Sequence, residues 1–253
     1  MMVNFDIDGK TLRKIMETMG SVAAEVALNF DSGGLSVKAM NNERTAMLSI
    51  DVSKEAFQTY DGITDGAVGE SAGIDVAKAM GSIRMFSPSD VVSVSIEKGK
   101  ITFKSAGLRM SQPAIDPGLL TVPKIPSLSH NNWAVLEANE LMKIMNATRM
   151  VSQTVTMSLL PDALTVKAVG DVADETIEAS LPRASLKELV GQGPARSTYA
   201  TELVSSFLKN VSDFGEIRIS LATDYPLKMD AKAVGGKISV AYVVAPRIAE
   251  INS

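Results

Sequence analysis

Apolar and polar residues recur along this chain in two patterns, one with the period of a helix and one with the period of a strand. Leu12, Ile15, Met16 and Met19 follow the i, i+3, i+4, i+7 spacing, which predicts a helix with one buried face. Residues 47–52 instead alternate apolar and polar side chains, which predicts a strand with one buried and one wet face. The chain therefore combines amphipathic helices with half-buried strands.

Three further segments carry the helical pattern. We predict helices over residues 73–85 and 201–211, and one that begins near Leu141. Each of the first two is followed by alternating strands, at 92–96 and 217–221, and then by further strands at 100–104 and 226–231. The expected buried faces of the three helices are formed by Val76, Met80 and Ile83; by Leu203, Phe207 and Val211; and by Leu141, Ile144 and Met145.

The chain also repeats itself. Placing Leu12 against Leu141, without gaps, gives ten identities in the 29 pairs that end at Met40 and Val169. Chance similarity between two amphipathic segments is the alternative, but one register holds across both a helix pattern and a strand pattern. We predict an α+β chain of two similar domains, each with helices on one face of largely antiparallel sheets.

A proline-rich segment separates the two repeats. Residues 113–126 contain four of the ten prolines, which excludes an inner strand or a helix interior and predicts an extended connector. A pure linker is one interpretation. The apolar residues Leu119, Leu120, Val122 and Ile125 instead favour a connector that lies against a surface. The expected division is 1–115, 116–132 for the connector, and 133–253.

Composition excludes several classes of protein. Hydrophobic residues make up 45% and charged residues 21% of the 253, which is typical of a globular chain and not of a disordered or collagenous one. The absence of cysteine excludes disulfides, zinc fingers and cysteine catalysis. The single histidine, His130, is expected to be an exposed connector residue. We expect no metal site.

Catalytic and cofactor motifs are missing as well. There is no G-x-G-x-x-G and no phosphate-binding P-loop, so we expect no cofactor and no enzymatic activity. Asp6 and Asp8 could bind a metal, but they are better explained as a strand end and a helix cap. The N-terminus lacks a secretory signal, and the apolar stretch 240–245 is too short to span a bilayer. These features predict a cytoplasmic protein.

Charge is distributed unevenly. The chain carries 25 Lys and Arg against 29 Asp and Glu, a formal net charge of −4, yet the predicted helices are rich in cations on their polar faces. A solvated helix face is the ordinary explanation of such residues. A nucleic-acid interface would need this gathering of positive charge on one face. The helix cations are Lys10, Arg13, Lys14, Lys78, Arg84, Lys143, Arg149 and Lys209.

Several segments, spread over essentially the whole chain, resemble the sliding clamp of DNA replication, PCNA, in its archaeal form. The most specific is Tyr242-Val243-Val244-Ala245-Pro246-Arg247-Ile248, which is similar to the family's C-terminal ending. The connector piece Lys124-Ile125-Pro126 is similar too, although Pro123 and Lys124 replace more typical residues. The other matching pieces are Leu12-Arg13-Lys14-Ile15-Met16, Ser36-Val37-Lys38-Ala39-Met40, Phe57-Gln58-Thr59-Tyr60 and Ala67-Val68-Gly69.

The resemblance implies a ring of three subunits whose helices line a central hole that holds double-stranded DNA without sequence preference. It also implies a clamp loader, and a front face where polymerase, ligase and nucleases dock through PIP-type peptides. The family has no enzymatic activity. The implied localisation is cytoplasmic and nucleoid-associated. A heteromeric or damage-response clamp and, in another class, a small-molecule enzyme with a duplicated α+β fold are the alternatives.

Carried over residue by residue, the resemblance places the helix cations on the inner wall and identifies two further sets. The partner-binding pocket is expected to comprise Met40, Arg44, Thr45, Met47, Ile125, Pro126, Pro226, Val243, Ala245 and Pro246. Closing the ring needs a free sheet edge from each domain, which predicts subunit pairing through Gly107, Leu108, Arg109, Met110 and Ser111 with Thr176, Ile177, Glu178, Ala179 and Ser180.

Overall fold

The computed structural model describes residues 2–63, 69–97, 99–171, 175–191 and 193–247. The chain divides into two compact units, one of residues 1–125 with 233–240 and one of residues 126–232 with 241–253. Within the described residues, each unit contains two α-helices. The helices are α1 (Gly9–Gly20), α2 (Val76–Ile83), α3 (Ala138–Val151) and α4 (Thr201–Val211).

The first unit contains two sets of antiparallel strands. Strands β5, β1, β7, β8 and β9 pair in that order, and strands β4, β3, β2 and β6 pair in that order. Their bounds are β1 (Met2–Asp8), β2 (Glu25–Asp31), β3 (Gly34–Met40), β4 (Ala46–Ser53), β5 (Thr59–Asp61), β6 (Glu70–Asp75), β7 (Val91–Glu97), β8 (Lys100–Ser105) and β9 (Leu108–Pro113).

The second unit repeats this plan. Strands β14, β10, β16 and β17 pair in that order, and strands β13, β12, β11 and β15 pair in that order. Their bounds are β10 (Asn132–Glu137), β11 (Thr154–Leu159), β12 (Ala163–Val169), β13 (Thr176–Pro182), β14 (Glu188–Val190), β15 (Ala195–Ala200), β16 (Glu216–Leu221) and β17 (Leu227–Ala233), followed by β18 (Ile238–Val244).

The internal repeat is confirmed at the level of elements. Helices α1 and α3 begin 129 residues apart, and strands β3 and β12 both begin and end 129 residues apart. In each unit the apolar helix face covers a sheet, as the periodicity predicts. The α+β fold class with two similar domains is therefore confirmed.

Helix α1 starts where its sequence allows capping. Asp8 ends β1, and its side chain accepts a hydrogen bond from the Thr11 backbone N–H at 2.8 Å. An N-cap carboxylate satisfies one of the otherwise unpaired donors of the first helical turn. The prediction that Asp8 is a helix cap is confirmed. Leu12, Ile15, Met16 and Met19 are all buried.

The bounds predicted for the second helix were wrong. Residues 73–75 belong to β6, which pairs with β2, and the helix starts only at Val76. Asp75 is the last residue of β6 and the N-cap of α2. Its side chain accepts a hydrogen bond from the Lys78 backbone N–H at 2.9 Å. Residues 73–75 fit the helical period, but in the fold they pair with β2 instead. The predicted burial of Ile144 and Leu203 is also only partial, since both are half-buried.

The core of the second unit relies on few aromatic rings. Phe207 of α4 stacks on Tyr242 of β18, with ring centroids 4.5 Å apart and an interplanar angle of 2°. The single tryptophan, Trp133 of β10, lies beneath the guanidinium of Arg218, whose Cζ is 4.2 Å from the ring centroid. That placement is a cation–π contact between neighbouring strands. Over the described ranges, no helix is long and apolar enough to cross a membrane.

Candidate functional site

The helix cations project from the polar faces that the sequence predicts. Lys10, Lys78, Lys143 and Lys209 are exposed, and Arg84, the C-cap of α2, is exposed too. Arg13 and Lys14 of α1 are half-buried. Exposed cations on helices can neutralise phosphates without reading base edges, the chemistry of sequence-independent DNA binding.

Two of the predicted DNA-facing arginines have structural partners. Arg13 donates from Nη2 to the carbonyl oxygen of Phe86 at 3.1 Å, so it ties α1 to the segment that follows α2. Arg149 forms an ion pair with Glu202 of α4, with Nη2 and Oε2 2.9 Å apart. That pair is largely exposed, so its contribution to stability is small. Sequence periodicity could place these side chains on a polar face but could not reveal their partners.

In the first unit, the predicted pocket residues gather around one tight turn. Met40 ends β3 and lies opposite Met47 of β4, and both are half-buried. Between them, Asn41 organises the chain: its Oδ1 accepts from the backbone N–H groups of Thr45 and Ala46, both at 2.9 Å. Its Nδ2 donates to the Thr45 hydroxyl at 3.0 Å. Asn41 is not among the residues that the sequence predicted for the pocket.

This network holds Arg44 in an uncommon conformation. The φ of Arg44 is +55°, in the left-handed region, and its N–H donates to the carbonyl oxygen of Asn41 at 3.0 Å. Non-glycine residues rarely adopt that conformation unless their surroundings impose it. The exposed Arg44 side chain and the half-buried Thr45 are therefore presented from a fixed turn.

The connector agrees with its prediction in part. It is extended, with one short 3-10 turn at Pro117–Leu119 capped by the Asp116 side chain, and residues 120–131 adopt no helix or strand. Leu119 is 79% exposed and Val122 is 47% exposed, so neither contributes to the expected contact with a surface. Ile115 and Leu120, in contrast, lie against Gly73 of β6. Leu120 and Ile125 are half-buried and Pro126 is exposed. The prolines favour extended backbone, and the backbone bridge between Ile115 and Gly73 holds the start of the segment on β6.

In the second unit, Pro226, Ala245 and Pro246 are half-buried and Val243 is buried. The C-terminal segment is fixed by the Arg247 backbone N–H, which donates to the carbonyl oxygen of Thr198 in β15 at 2.7 Å. Ile248, part of the C-terminal family motif, lies outside the described residues, as do Ala67 and Val68.

The expectation for His130 was wrong. His130 is half-buried, and its Nε2 lies 2.7 Å from the carbonyl oxygen of Pro226. Since a carbonyl can only accept, Nε2 carries the proton. The imidazole also meets the Tyr225 ring edge-on at 5.3 Å. His130 thus ties the start of the second unit to a predicted pocket residue, a contact 96 residues apart in sequence.

Both strands predicted for subunit pairing lie at sheet edges. Within the part of the chain that is described, β9 has a neighbour on one side only, β8, and β13 has only β12. The predicted strand started one residue too early, because Gly107 (φ +82°) forms a two-residue turn with Ala106 (φ +48°). Two consecutive positive φ values are typical of a type I′ hairpin.

Burial shifts the acidity of three tyrosines. Loss of solvent raises the pKa of Tyr60 to about 12, Asp31 adds to this by its charge, and the hydroxyl donates to the carbonyl oxygens of Asp31 and Gly34 at 2.8 and 2.7 Å. Burial likewise raises the pKa of Tyr199 and of Tyr242. Among the described residues there is no group of three or more His, Cys, Asp or Glu placed to hold a metal ion.

Comparison with known proteins gives consistent matches. The family model of the proliferating cell nuclear antigen N-terminal domain matches residues 2–102. The DNA polymerase sliding clamp of Thermoplasma acidophilum is 26% identical over 250 residues, which cover 98% of this chain and 99% of that protein. The solved structure of A. fulgidus PCNA with the C-terminal region of FEN-1 bound gives a TM-score of 0.90 at 25% identity, covering 97% of this chain and 98% of that one. PCNA from Thermococcus kodakaraensis gives a TM-score of 0.87 at 20% identity, covering 97% and 100%, which supports the fold.

Proposed function

Because the chain belongs to the PCNA family in its archaeal form, we propose that it is a DNA sliding clamp. It acts as a ring-shaped processivity factor that encircles duplex DNA and docks polymerase, ligase and nucleases. Similarity along 98% of the chain to a protein named DNA polymerase sliding clamp carries this proposal. The exposed lysines on all four helices support it, because an inner wall of cations without base contacts lets a protein slide.

The similarity to sliding clamps also supports a proposal for how the chain assembles. We propose a homotrimer that a clamp loader opens and closes, located in the cytoplasm with the nucleoid and without catalytic activity of its own. The domains are 1–115 and 133–253, joined by the connector 116–132. The strand edges of β9 and β13 support pairing between subunits, since a closed ring leaves neither edge exposed.

Partner docking is proposed at the turn, connector and C-terminal residues predicted above. The A. fulgidus PCNA structure holds the C-terminal region of FEN-1, which supports binding of PIP-type peptides by this chain as well. Half-buried Met40 and Met47 suit such a role, because methionine adapts to aromatic anchors and binding surfaces.

Light scattering and a polymerase assay test the whole proposal. The purified chain should have the mass of three copies and should raise the length of DNA made per polymerase binding event when loaded on a primed template. A stable monomer or dimer without partners would favour the heteromeric clamp. A trimer that leaves polymerase unchanged would contradict the sliding-clamp function.

The docking residues are tested separately. Met47→Ala and Ile125→Ala should each weaken binding of a polymerase-tail PIP peptide by roughly 1–3 kcal/mol in calorimetry, because interface hot spots are few and truncation leaves a hole. Melting temperature and trimer mass should stay close to the parent. Val169→Ala, an exposed strand residue outside the predicted set, is the control. Equal affinities for all four proteins would refute the assignment of these residues.

A further inference from the structure

We propose that Gly73 of β6 is a positioning residue for partner docking. Because Gly73 lacks a side chain, the start of the connector can pair with β6, and this pairing sets the path of the connector as far as Ile125. The role rests on the proposed function, since Ile125 belongs to the predicted partner-binding pocket. Gly73 and the connector up to Ile125 lie in the first unit.

The connector approaches β6 more closely than a side chain would allow. The Gly73 N–H donates to the carbonyl oxygen of Ile115 at 2.9 Å, and the Ile115 N–H donates back to the carbonyl oxygen of Gly73 at 2.8 Å. A Cβ on Gly73 would lie 2.8 Å from the Ile115 carbonyl oxygen and 2.7 Å from Cδ1 of Leu120. Carbon atoms in contact prefer separations of about 3.5–4.0 Å, so even a methyl group would force the two segments apart.

Space, and not backbone conformation, is what requires glycine here. Gly73 is not among the glycines with positive φ, and it lies opposite Ala27 in the regular β2–β6 ladder. Glycine weakens a strand, and within a strand it often marks a place where another backbone comes close. Alanine would therefore suit β6 itself, and the bridge to Ile115 is what excludes it.

The second unit repeats this crossing. Thr198 of β15 lies three residues before the first residue of α4, as Gly73 lies three residues before the first residue of α2. The carbonyl oxygen of Thr198 accepts from the N–H of Arg247 at 2.7 Å, and Arg247 follows β18 as Ile115 follows β9. The recurrence indicates that the crossing belongs to the duplicated plan and is not an accident of the connector's prolines.

The segment next to the bridge is a fixed turn. Asp116 Oδ1 accepts from the Gly118 N–H at 2.9 Å, and the Leu120 N–H donates to the carbonyl oxygen of Pro117 at 3.1 Å. Residues 116–120 therefore keep one conformation, which holds Leu120 against Gly73.

Little freedom remains between this turn and the pocket. Only residues 121–124 separate Leu120 from Ile125. Pro123 is buried and has a fixed φ, while Val122 and Ile125 each precede a proline and are restricted to extended backbone. A shift of the bridge is thus passed on to Ile125.

A partner peptide that docks at Ile125 then meets a connector whose path is already set. If the connector were released from β6, its backbone would have to be ordered during binding, and fixing backbone residues costs free energy. Gly73 therefore raises the affinity for the peptide through the connector.

Gly73→Ala tests this role. We expect faster deuterium exchange at the Ile115 amide and about tenfold weaker binding of a polymerase-tail PIP peptide in calorimetry, because ordering of the connector moves into the binding step. Gly81→Ala is the matched control, since Gly81 of α2 is exposed and an added Cβ meets nothing within 4 Å. The control should match the parent in both measurements. Parent-like exchange or parent-like affinity in Gly73→Ala would overturn the role.

A cysteine pair separates loss of the anchor from other damage to β6 within one protein. In Gly73→Cys with Ile115→Cys, the reduced side chains should break the bridge and a disulfide should restore the tether. The Cβ atoms, 2.8 Å apart when one is built on Gly73, need to separate by only about 1 Å to reach a typical disulfide spacing. The chain has no other cysteine.

Oxidation of this pair with diamide should bring peptide affinity to within about twofold of the parent, and reduction should lower it about tenfold. Equal affinities in the two states, or failure of the pair to form a disulfide within one chain, would overturn the anchor. Should Gly73→Ala not fold, Ile115→Pro takes its place: it removes the N–H that donates to Gly73, leaves β6 unchanged, and should weaken peptide binding similarly.

The two proposals fail in different ways. A parent chain that binds no PIP peptide would refute the proposed docking function, and this role of Gly73 with it. A parent chain that binds the peptide while Gly73→Ala binds it equally well would overturn the role of Gly73 alone.

Discussion

At the scale of single residues, the positions that sequence periodicity could not interpret are those with distant partners. Asn41 holds a turn through four hydrogen bonds of its side chain and carbonyl, His130 reaches Pro226, and Arg13 reaches Phe86. Periodicity reports which face of an element is apolar, but it carries no information about a partner on another element. Met40 and Met47 were assigned to the pocket from the family resemblance and not from a period, and that assignment stays a prediction.

Among the described residues, Val234 combines a left-handed backbone conformation with a β-branched side chain. Its φ is +52° and it is 45% exposed, although a β-branched side chain is strongly disfavoured in the left-handed region. Val234→Asn should stabilise the chain by about 1 kcal/mol, because asparagine tolerates that conformation. Thermal melting checks this against Val169→Asn, an exposed valine in a strand, which should give no gain.

Tyr60 predicts a loss of stability in alkali. Its pKa rises from 10.0 to about 12 on folding, so the folded state holds the phenolic proton more tightly than the unfolded chain. The stability that Tyr60 contributes through this proton is complete below pH 10 and is lost as pH rises through 12. Urea unfolding between pH 9 and pH 12 should show falling stability, and Tyr60→Phe should have a shallower slope. Parallel slopes would contradict this role of Tyr60.

At the scale of elements, sequence patterns predicted which helices and strands exist better than where they end. The 129-residue offset aligned α1 with α3 and β3 with β12, because each pair buries the same apolar positions. The start of α2 was missed, since residues 73–75 fit a helix locally but pair with β2 in the fold. Ladder partners lie far away in sequence, so such competition is invisible to a local pattern.

Substitution of Asp75, the N-cap of α2, tests why the helix begins at Val76. Asp75→Ala should destabilise the chain by about 1 kcal/mol, because the Lys78 N–H loses its acceptor at the first helical turn. Asp75→Ser retains a capping oxygen and should cost less. Chemical denaturation of the two variants gives the comparison. Equal losses would indicate that the backbone pairing of Asp75 with Glu25, and not the cap, sets the helix start.

At the scale of the whole molecule, an acidic chain presents exposed cations on all four helices. The net charge of −4 means that a nucleic-acid role needs positive charge gathered on one face, and the cations opposite the apolar helix faces favour such a role. The pocket residues were proposed from the family resemblance, because they come from three separate parts of the chain and share no period.

The exposed lysines on the helices predict that reversing their charge weakens DNA binding. Replacing Lys10, Lys78, Lys143 and Lys209 by Glu should abolish most polymerase stimulation and reduce the salt dependence of DNA binding, since fewer phosphates are neutralised. Each site is exposed, so stability should change by about 0.5 kcal/mol or less per site. The control changes four exposed lysines outside the four α-helices to Glu, at Lys54, Lys187, Lys232 and Lys237, with the same change in net charge. Equal losses in both variants would contradict an inner wall.

The lone tryptophan beneath Arg218 makes the two halves of the molecule optically distinguishable. All indole fluorescence comes from the second unit, whereas the far-ultraviolet dichroism of helices and strands comes from both. Heating one sample while recording both signals therefore tests whether the two units unfold in a single cooperative transition. Coincident curves would mean that the duplicated halves share a single transition, and an early dichroism step with unchanged emission would identify the first unit as the weaker one.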